Sequence, residues 1–262
     1  QFARRGKATK LRALPAAVLE DMYSILDPSS PRNPFRSEGN ALRNYTIVTT
    51  LLHGGLRRGE LGLLPRNPVK SGTDPITGEE RFWLNVTRNP YETSDSRSNR
   101  PSLKTPDSIR QIPVSRDLAN LIAQYDAHRD GHPHEFLFSS QKKKPLAMNT
   151  VNLIFKVITA NLSPSAKTEL WDRRRKTSAT PHDARHTAAV VRLTHLLDAG
   201  EEMQIALDKL KVFFGWSKDS EMPRHYSRAY FEDRLGAVWN RRFDVHVEIL
   251  RGLQTVANDE HF

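Results

Sequence analysis

Apolar residues recur at helical spacing along most of this chain, and the period switches to strand-like alternation only once. Pro15 stands at the first turn of a helix carrying Leu14, Val18, Leu19, Met22 and Leu26. After a loop dense in Pro, Ser and Asn (27–40), a second helix carries Leu42, Tyr45, Val48, Leu51 and Leu52 to the double glycine Gly54–Gly55. "LRRGELGLL" resumes as a short helix or turn, ended by Pro65. Then "ERFWLNVTR" alternates and "RQIPV" is a short strand, with a polar insertion (89–102) between them that reads as a mobile loop. Helical spacing returns at 115–127, at 149–161 with Asn149 as N-cap, at 183–199 ended by Gly200, at 201–212 and at 228–252. This pattern predicts a mixed α/β fold, predominantly α-helical with one small antiparallel β-sheet.

The charge balance points to a partner. Forty Lys and Arg stand against 30 Asp and Glu, a formal net charge of +10. Such a surplus favours a polyanion, and nucleic acid is the commonest one, although acidic membranes and proteins also attract basic chains. The absence of cysteine excludes disulfides and thiolate metal sites. That absence assigns no compartment, although a cytoplasmic protein is the simpler expectation, and no apolar run reaches the roughly 18 to 20 residues of a membrane span. "HRDGHPHEF" (128–136) holds three histidines in a Pro- and Gly-containing polar stretch, which reads as a solvated loop rather than a metal site.

Four short motifs carry candidate chemistry, and each has a bland reading. In "PHDARHT", His182 and Arg185 lie three apart, hence on one face at the head of a helix, where free N–H groups add positive potential. An anion there would meet an imidazole and a guanidinium together; alone, the tetrapeptide is an ordinary helix start. In "GGLRRGEL", Arg57 follows the glycine break and Glu60 lies three residues on, able to orient the guanidinium. A helix-end salt bridge is the plain alternative. Lys104 sits in "SLKTPDSIR", ahead of a strand, where a flexible ammonium can reach a ligand. "GWSKDSEMPRHYSR" carries Trp216 and, ten residues later, Tyr226. With an ordinary pKa near 10, only about 0.1% of a tyrosine is phenolate at pH 7, a deficit of roughly 4 kcal/mol, so a nucleophilic role demands cationic neighbours or a base.

In this order, the motifs resemble the catalytic domain of the tyrosine recombinases, or phage-type integrases, over residues 10–235. The resemblance implies that Arg57 and Arg185 clamp the non-bridging oxygens of a scissile phosphate. It also implies that His182 contacts the same phosphate and helps take the tyrosine proton, and that Lys104 protonates the 5′-oxygen leaving group. Trp216 stands where many members have His; its indole can donate but cannot shuttle a proton. Glu60 matches a supporting acidic position, and Tyr226 the nucleophile, with Tyr230 the alternative because the spacing from Trp216 is one residue longer than a common one. A 3′-phosphotyrosyl link conserves the phosphodiester energy, so the scheme needs no ATP, metal or other cofactor.

The resemblance further implies double-stranded DNA as partner and a homo-oligomer, a tetramer on DNA, coupled through the C-terminal tail. It divides the chain into a basic tether (1–13), a catalytic domain (14–235) and a tail (236–262) that docks in trans or packs in cis. Arg58, Arg173, Arg174, Arg175, Lys176 and Arg224 are candidate contacts to the DNA backbone, with a solvated charge run as the plain alternative for 173–176. A type IB-like topoisomerase or telomere resolvase shares the same residues, and a non-catalytic DNA-binding relative is a third possibility.

Overall fold

The computed structural model describes residues 13–227, apart from 90, 130 and 218. The expected tether, the helix at 228–252, Tyr230 and the tail lie outside these residues. Pro15, at φ −60°, caps α1 (Ala16–Leu26), which buries Val18, Met22, Ile25 and Leu26. Helix α2 (Glu38–Gly54) starts where the Ser37 hydroxyl accepts the Asn40 N–H, and stops at Gly55. It is apolar or small on nearly every face, burying Ile47, Val48 and Leu51 completely, and so runs through the centre of the core. Helix α3 (Arg58–Gly62) is a single short helix capped by its own Glu60.

The sheet has three strands where the alternation predicts two. β1 (Val69–Thr73), β2 (Glu80–Val86) and β3 (Arg110–Val114) pair antiparallel in that order, with Leu84 opposite both Val69 and Ile112. β1, "VKSGT", shows no alternation because it buries no residue fully; pairing with β2 makes it a strand.

The rest is helical: α4 (Arg116–His128), α5 (Met148–Ala160), α6 (Pro164–Arg174), α7 (Pro181–Asp198), α8 (Met203–Phe214) and a further helical stretch at 222–227. Helices α4 and α7 pack on α2, and α8 bridges α7 and β3. Two helix details differ from the sequence reading. Helix α5 starts at Met148 behind Ala147, with no side-chain cap, so Asn149 is not its N-cap. Helix α6, not expected, is capped by Ser163 and Pro164, but it buries only Ala166 and Leu170 and so offers little periodicity to read.

The 89–102 insertion is not the loose loop its polarity suggests. Arg97 and Asp95 form a buried two-point ion pair at 2.8 and 2.7 Å. A further Arg97 N–H donates to the Gly62 carbonyl at 2.9 Å, and its guanidinium lies 4.1 Å from the Phe136 ring centre. The insertion is thereby fastened to the end of α3.

The histidine-rich stretch is half-buried, and two of its histidines are tied to Ser139. The Ser139 hydroxyl lies 2.8 Å from His132 Nδ1 and 2.7 Å from His134 Nε2, beside the buried Arg129. Among the described residues no group of His, Cys, Asp or Glu is arranged to hold a metal ion. His134 Nδ1 accepts the Phe136 N–H, so the ring must stay neutral to keep this bond. Burial first, then the charge of Arg129, push its pKa down from 6.5 to about 4. The unfolded chain binds the extra proton at higher pH than the folded one, so stability falls as pH drops from about 6.5 to about 4. Denaturant midpoints measured across that window should show this loss, and His134→Gln should reduce it, leaving the smaller part that His53 and His132 contribute in the same direction.

Candidate active site

The site is built where two helices end. Helix α2 closes with Gly55 at φ 59° and α8 with Gly215 at φ 56°, a left-handed conformation that favours glycine. Space demands glycine as well. A Cβ on Gly55 would run into the Phe214 ring, and one on Gly215 would sit 2.6 Å from the Asp107 carbonyl oxygen. The two chain reversals therefore approach each other closely, and each presents carbonyls that no helical N–H can satisfy.

Arginines satisfy them. Arg185, on α7, donates from Nη1 to the Gly55 carbonyl and from Nη2 to the Phe214 carbonyl, both at 2.6 Å. Arg110, on β3, donates from Nε to the Phe213 carbonyl and from Nη1 to the Ser108 carbonyl, both at 2.7 Å. Cations at helix C-termini are favoured by the macrodipole as well as by these bonds.

Glu60 lies between them, 1% exposed. Its carboxylate accepts from Arg57 Nη1 at 2.6 Å, from the Arg57 backbone N–H at 2.9 Å and from Arg110 Nη2 at 2.9 Å, and Arg185 Nη1 stands 3.6 Å away. Burial works to raise its pKa, but the bonds and charges of Arg110, Arg185 and Arg57 outweigh it and hold the carboxyl below its usual range. Burial, the largest influence, drops the Arg185 pKa to about 9; Glu60 pulls it back up, while Arg57 and Arg110 push it down. Three guanidinium groups thus share one carboxylate. Arg57 is the most open, with 23% of its side chain exposed, and its Nε and Nη2 donate to no described residue.

The second half of the site is aromatic. Phe214, Trp216 and Tyr226 stack in series, with ring centres 4.8 and 5.5 Å apart and planes within 14° and 11° of parallel. Arg185 lies 5.0 Å from the Phe214 ring centre and 5.8 Å from that of Trp216. Tyr226 is 2% exposed, and its hydroxyl lies 2.6 Å from His186 Nδ1. His186 Nε2 in turn lies 2.9 Å from Nε2 of His182, which is exposed.

The fold therefore links Arg57, Glu60, Arg185, Trp216, Tyr226 and His182 through successive contacts. Lys104 is exposed on the β2–β3 connection, one residue before Thr105, whose hydroxyl lies 3.2 Å from that of Ser108, which accepts from Arg57 Nη1 at 3.1 Å. Of the basic run, Arg174 and Lys176 face the buried Asp183 at 3.9 and 2.7 Å, whereas Arg173 and Arg175 are about two-thirds exposed. Arg224 is exposed and Arg58 half-buried. Sequence reasoning missed Arg110, Ser108 and His186. The only signal for His186 was its place one helical turn after His182.

A family model described as the phage integrase family matches residues 14–233. The chain belongs to that family. The XerH site-specific recombinase bound to its difH substrate, in a pre-cleavage complex, superposes with a TM-score of 0.56 at 16% identity, over 88% of this chain and 54% of that one. The post-cleavage complex of XerH with palindromic difH gives 0.57 at the same identity and coverage. XerA recombinase gives 0.52 at 15% identity, over 89% of this chain and 66% of that one. This integrase-family chain thus spans little more than half the length of XerH, and the likeness establishes its fold. No curated protein matches it.

Glu60 is the group whose loss should be felt most. Glu60→Ala leaves three neighbouring guanidinium groups without their carboxylate, and removing one partner of a buried charge cluster costs about 3–5 kcal/mol. Urea unfolding at pH 7 should show a loss of that order. Because the Glu60 pKa is depressed, its contribution is full above the ordinary carboxylate pKa and lost as pH falls through the lower folded value. The gap between the two proteins should therefore narrow in acid.

Proposed function

We propose that this chain is the catalytic part of a site-specific DNA recombinase that cuts and rejoins double-stranded DNA through a 3′-phosphotyrosyl intermediate. The observation that carries this reading is the cluster of Arg57, Arg110 and Arg185 on the single carboxylate of Glu60, contiguous with Tyr226 through Arg185 and Trp216. Such a cluster retains positive charge, and a phosphodiester is a fitting anion for it.

In this scheme Arg57 and Arg185 hold the non-bridging oxygens, Arg185 from a plane already fixed and Arg57 by turning its remaining donors to the anion as it binds. The Tyr226 oxygen attacks phosphorus, the bond from phosphorus to the 5′-oxygen breaks, and Lys104 gives that oxygen its proton. One phosphodiester replaces another, so religation runs the same steps backward without an energy source. His182, the exposed member of the histidine pair, contacts the phosphate in this scheme, and Glu60 supports the arginines. Trp216, whose indole N–H can donate to the phosphate, also supports the nucleophile by stacking. Arg58, Arg173, Arg175 and Arg224 contact DNA phosphates in the same scheme, and such contacts fix position rather than sequence. Arg174 and Lys176 act first on Asp183. Assembly as a tetramer through the C-terminal tail belongs to the same proposal.

The test uses nicked duplexes with a randomised core, incubated with the 262-residue chain and denatured. An adduct that survives denaturation is expected from the wild type and not from Tyr226→Phe, which should still bind the duplex. Sequencing the captured DNA gives the site. An adduct that persists in Tyr226→Phe would place the nucleophile elsewhere, and none from the wild type would remove the recombinase reading.

A further inference from the structure

The buried Tyr226 hydroxyl meets His186, not His182. The oxygen lies 2.6 Å from His186 Nδ1, and His186 Nε2 lies 2.9 Å from His182 Nε2. The two histidines are one turn apart on α7, with ring centres 4.4 Å apart and planes nearly perpendicular. Tyr226 is 2% and His186 6% exposed, whereas His182 is exposed. A continuous row of hydrogen-bonding atoms therefore runs from the inside of the site to its surface.

We propose that His186 is the immediate acceptor of the Tyr226 proton and that it relays a proton to His182 in the same step. The proposal rests on the phosphotyrosyl reading above. A neutral imidazole carries one N–H. With Nδ1 accepting from the phenol, His186 holds its proton on Nε2, the nitrogen 2.9 Å from His182 Nε2. As the Tyr226 oxygen bonds to phosphorus, its proton passes to His186 Nδ1 and the Nε2 proton of His186 passes to His182. His186 ends neutral, and His182 ends as the imidazolium. On religation the protons return along the same row.

The relay solves an electrostatic problem that a single histidine would not. Arg185 is the adjoining residue of α7, and it shares the Glu60 carboxylate with Arg57 and Arg110. A cation left on buried His186 would add to that crowding without solvent to screen it. Passing the charge to exposed His182 places it in water, beside the phosphate the site receives.

Two measurements test this. In the full chain labelled with ¹⁵N-histidine, nitrogen shifts should place the His186 proton on Nε2, with His186→Asn identifying the signal. The tautomer is not visible from heavy-atom positions, and a proton found on Nδ1 would overturn the relay, since the phenol would then be accepting. The second is single-turnover cleavage of the duplex recovered by covalent capture. Asn can accept from Tyr226 but cannot pass a proton on, so His186→Asn should cleave about 100-fold slower or worse. Its rate should keep rising with hydroxide at pH values where the wild type has levelled off. A variant that cleaves within twofold of wild type, is faster, or is slowed equally at every pH overturns the proposal. If His186→Asn does not fold, the wild-type tautomer decides, with His186 assigned by elimination. A wild type that forms no adduct instead removes the underlying reading.

Discussion

The buried carboxylate of Glu60 is the interaction on which the rest of the site depends. Taking a carboxylate and several guanidinium groups out of water costs several kcal/mol per ion, and only close, multiple hydrogen bonds return it. Here the partners come from α3, β3 and α7, so the small sheet and the central helices must dock before the charges can pair. Arg110 makes the point concretely. Its one guanidinium joins the Glu60 carboxylate, the turn carbonyl of Ser108 and the last turn of α8. Shifting β3 along β2 by one residue would turn Arg110 to the other face and undo all three. The sheet is small, but its register holds the site together.

The positive charge is graded as well as clustered. Arg185 and Arg110 have helix-end carbonyls on their terminal and side nitrogens, which fixes their planes and partly offsets their charge. Arg57 is held from one nitrogen only and opens to solvent. The buried pair can therefore act as a fixed field, whereas Arg57 can turn its remaining donors toward an incoming anion. Binding would need little rearrangement of the protein beyond that side chain.

Much of this was legible in the sequence, and the failures have a common cause. The Gly54–Gly55 break, the GLRxxEL run and the HxxR pair are local patterns, and the structure uses them locally: Arg57 and Glu60 bond each other three residues apart. Arg110 reads only as the first residue of a short strand, because its partners lie 50 and 103 positions away. Arg97 was hidden for a similar reason. Its ion pair with Asp95 is local, but its anchors at Gly62 and Phe136 are not, and a polar composition cannot reveal that a guanidinium will be buried. The histidine stretch failed the same way: Ser139 collects His132 and His134 only after the chain has folded back on itself. β1 and α6 failed for want of apolar residues.

The same distinction explains Trp216. Read alone, it offered an indole donor, and a donor suggests a role toward the phosphate. The fold gives its ring another task. Gly215 turns the chain so that Trp216 lies flat between Phe214, which is fixed in the core, and Tyr226, which belongs to the next helical stretch. Parallel stacking restrains Tyr226 across the ring plane, and the bond to His186 restrains it along the hydroxyl. If Tyr226 acts as proposed, a side chain held in both directions loses little entropy in reacting, whereas a phenol on a free segment would have to be ordered at that moment. In the proposed reaction, what the tryptophan gives up as a proton shuttle it returns as a platform, and the histidine pair is the part of the site left to move the proton.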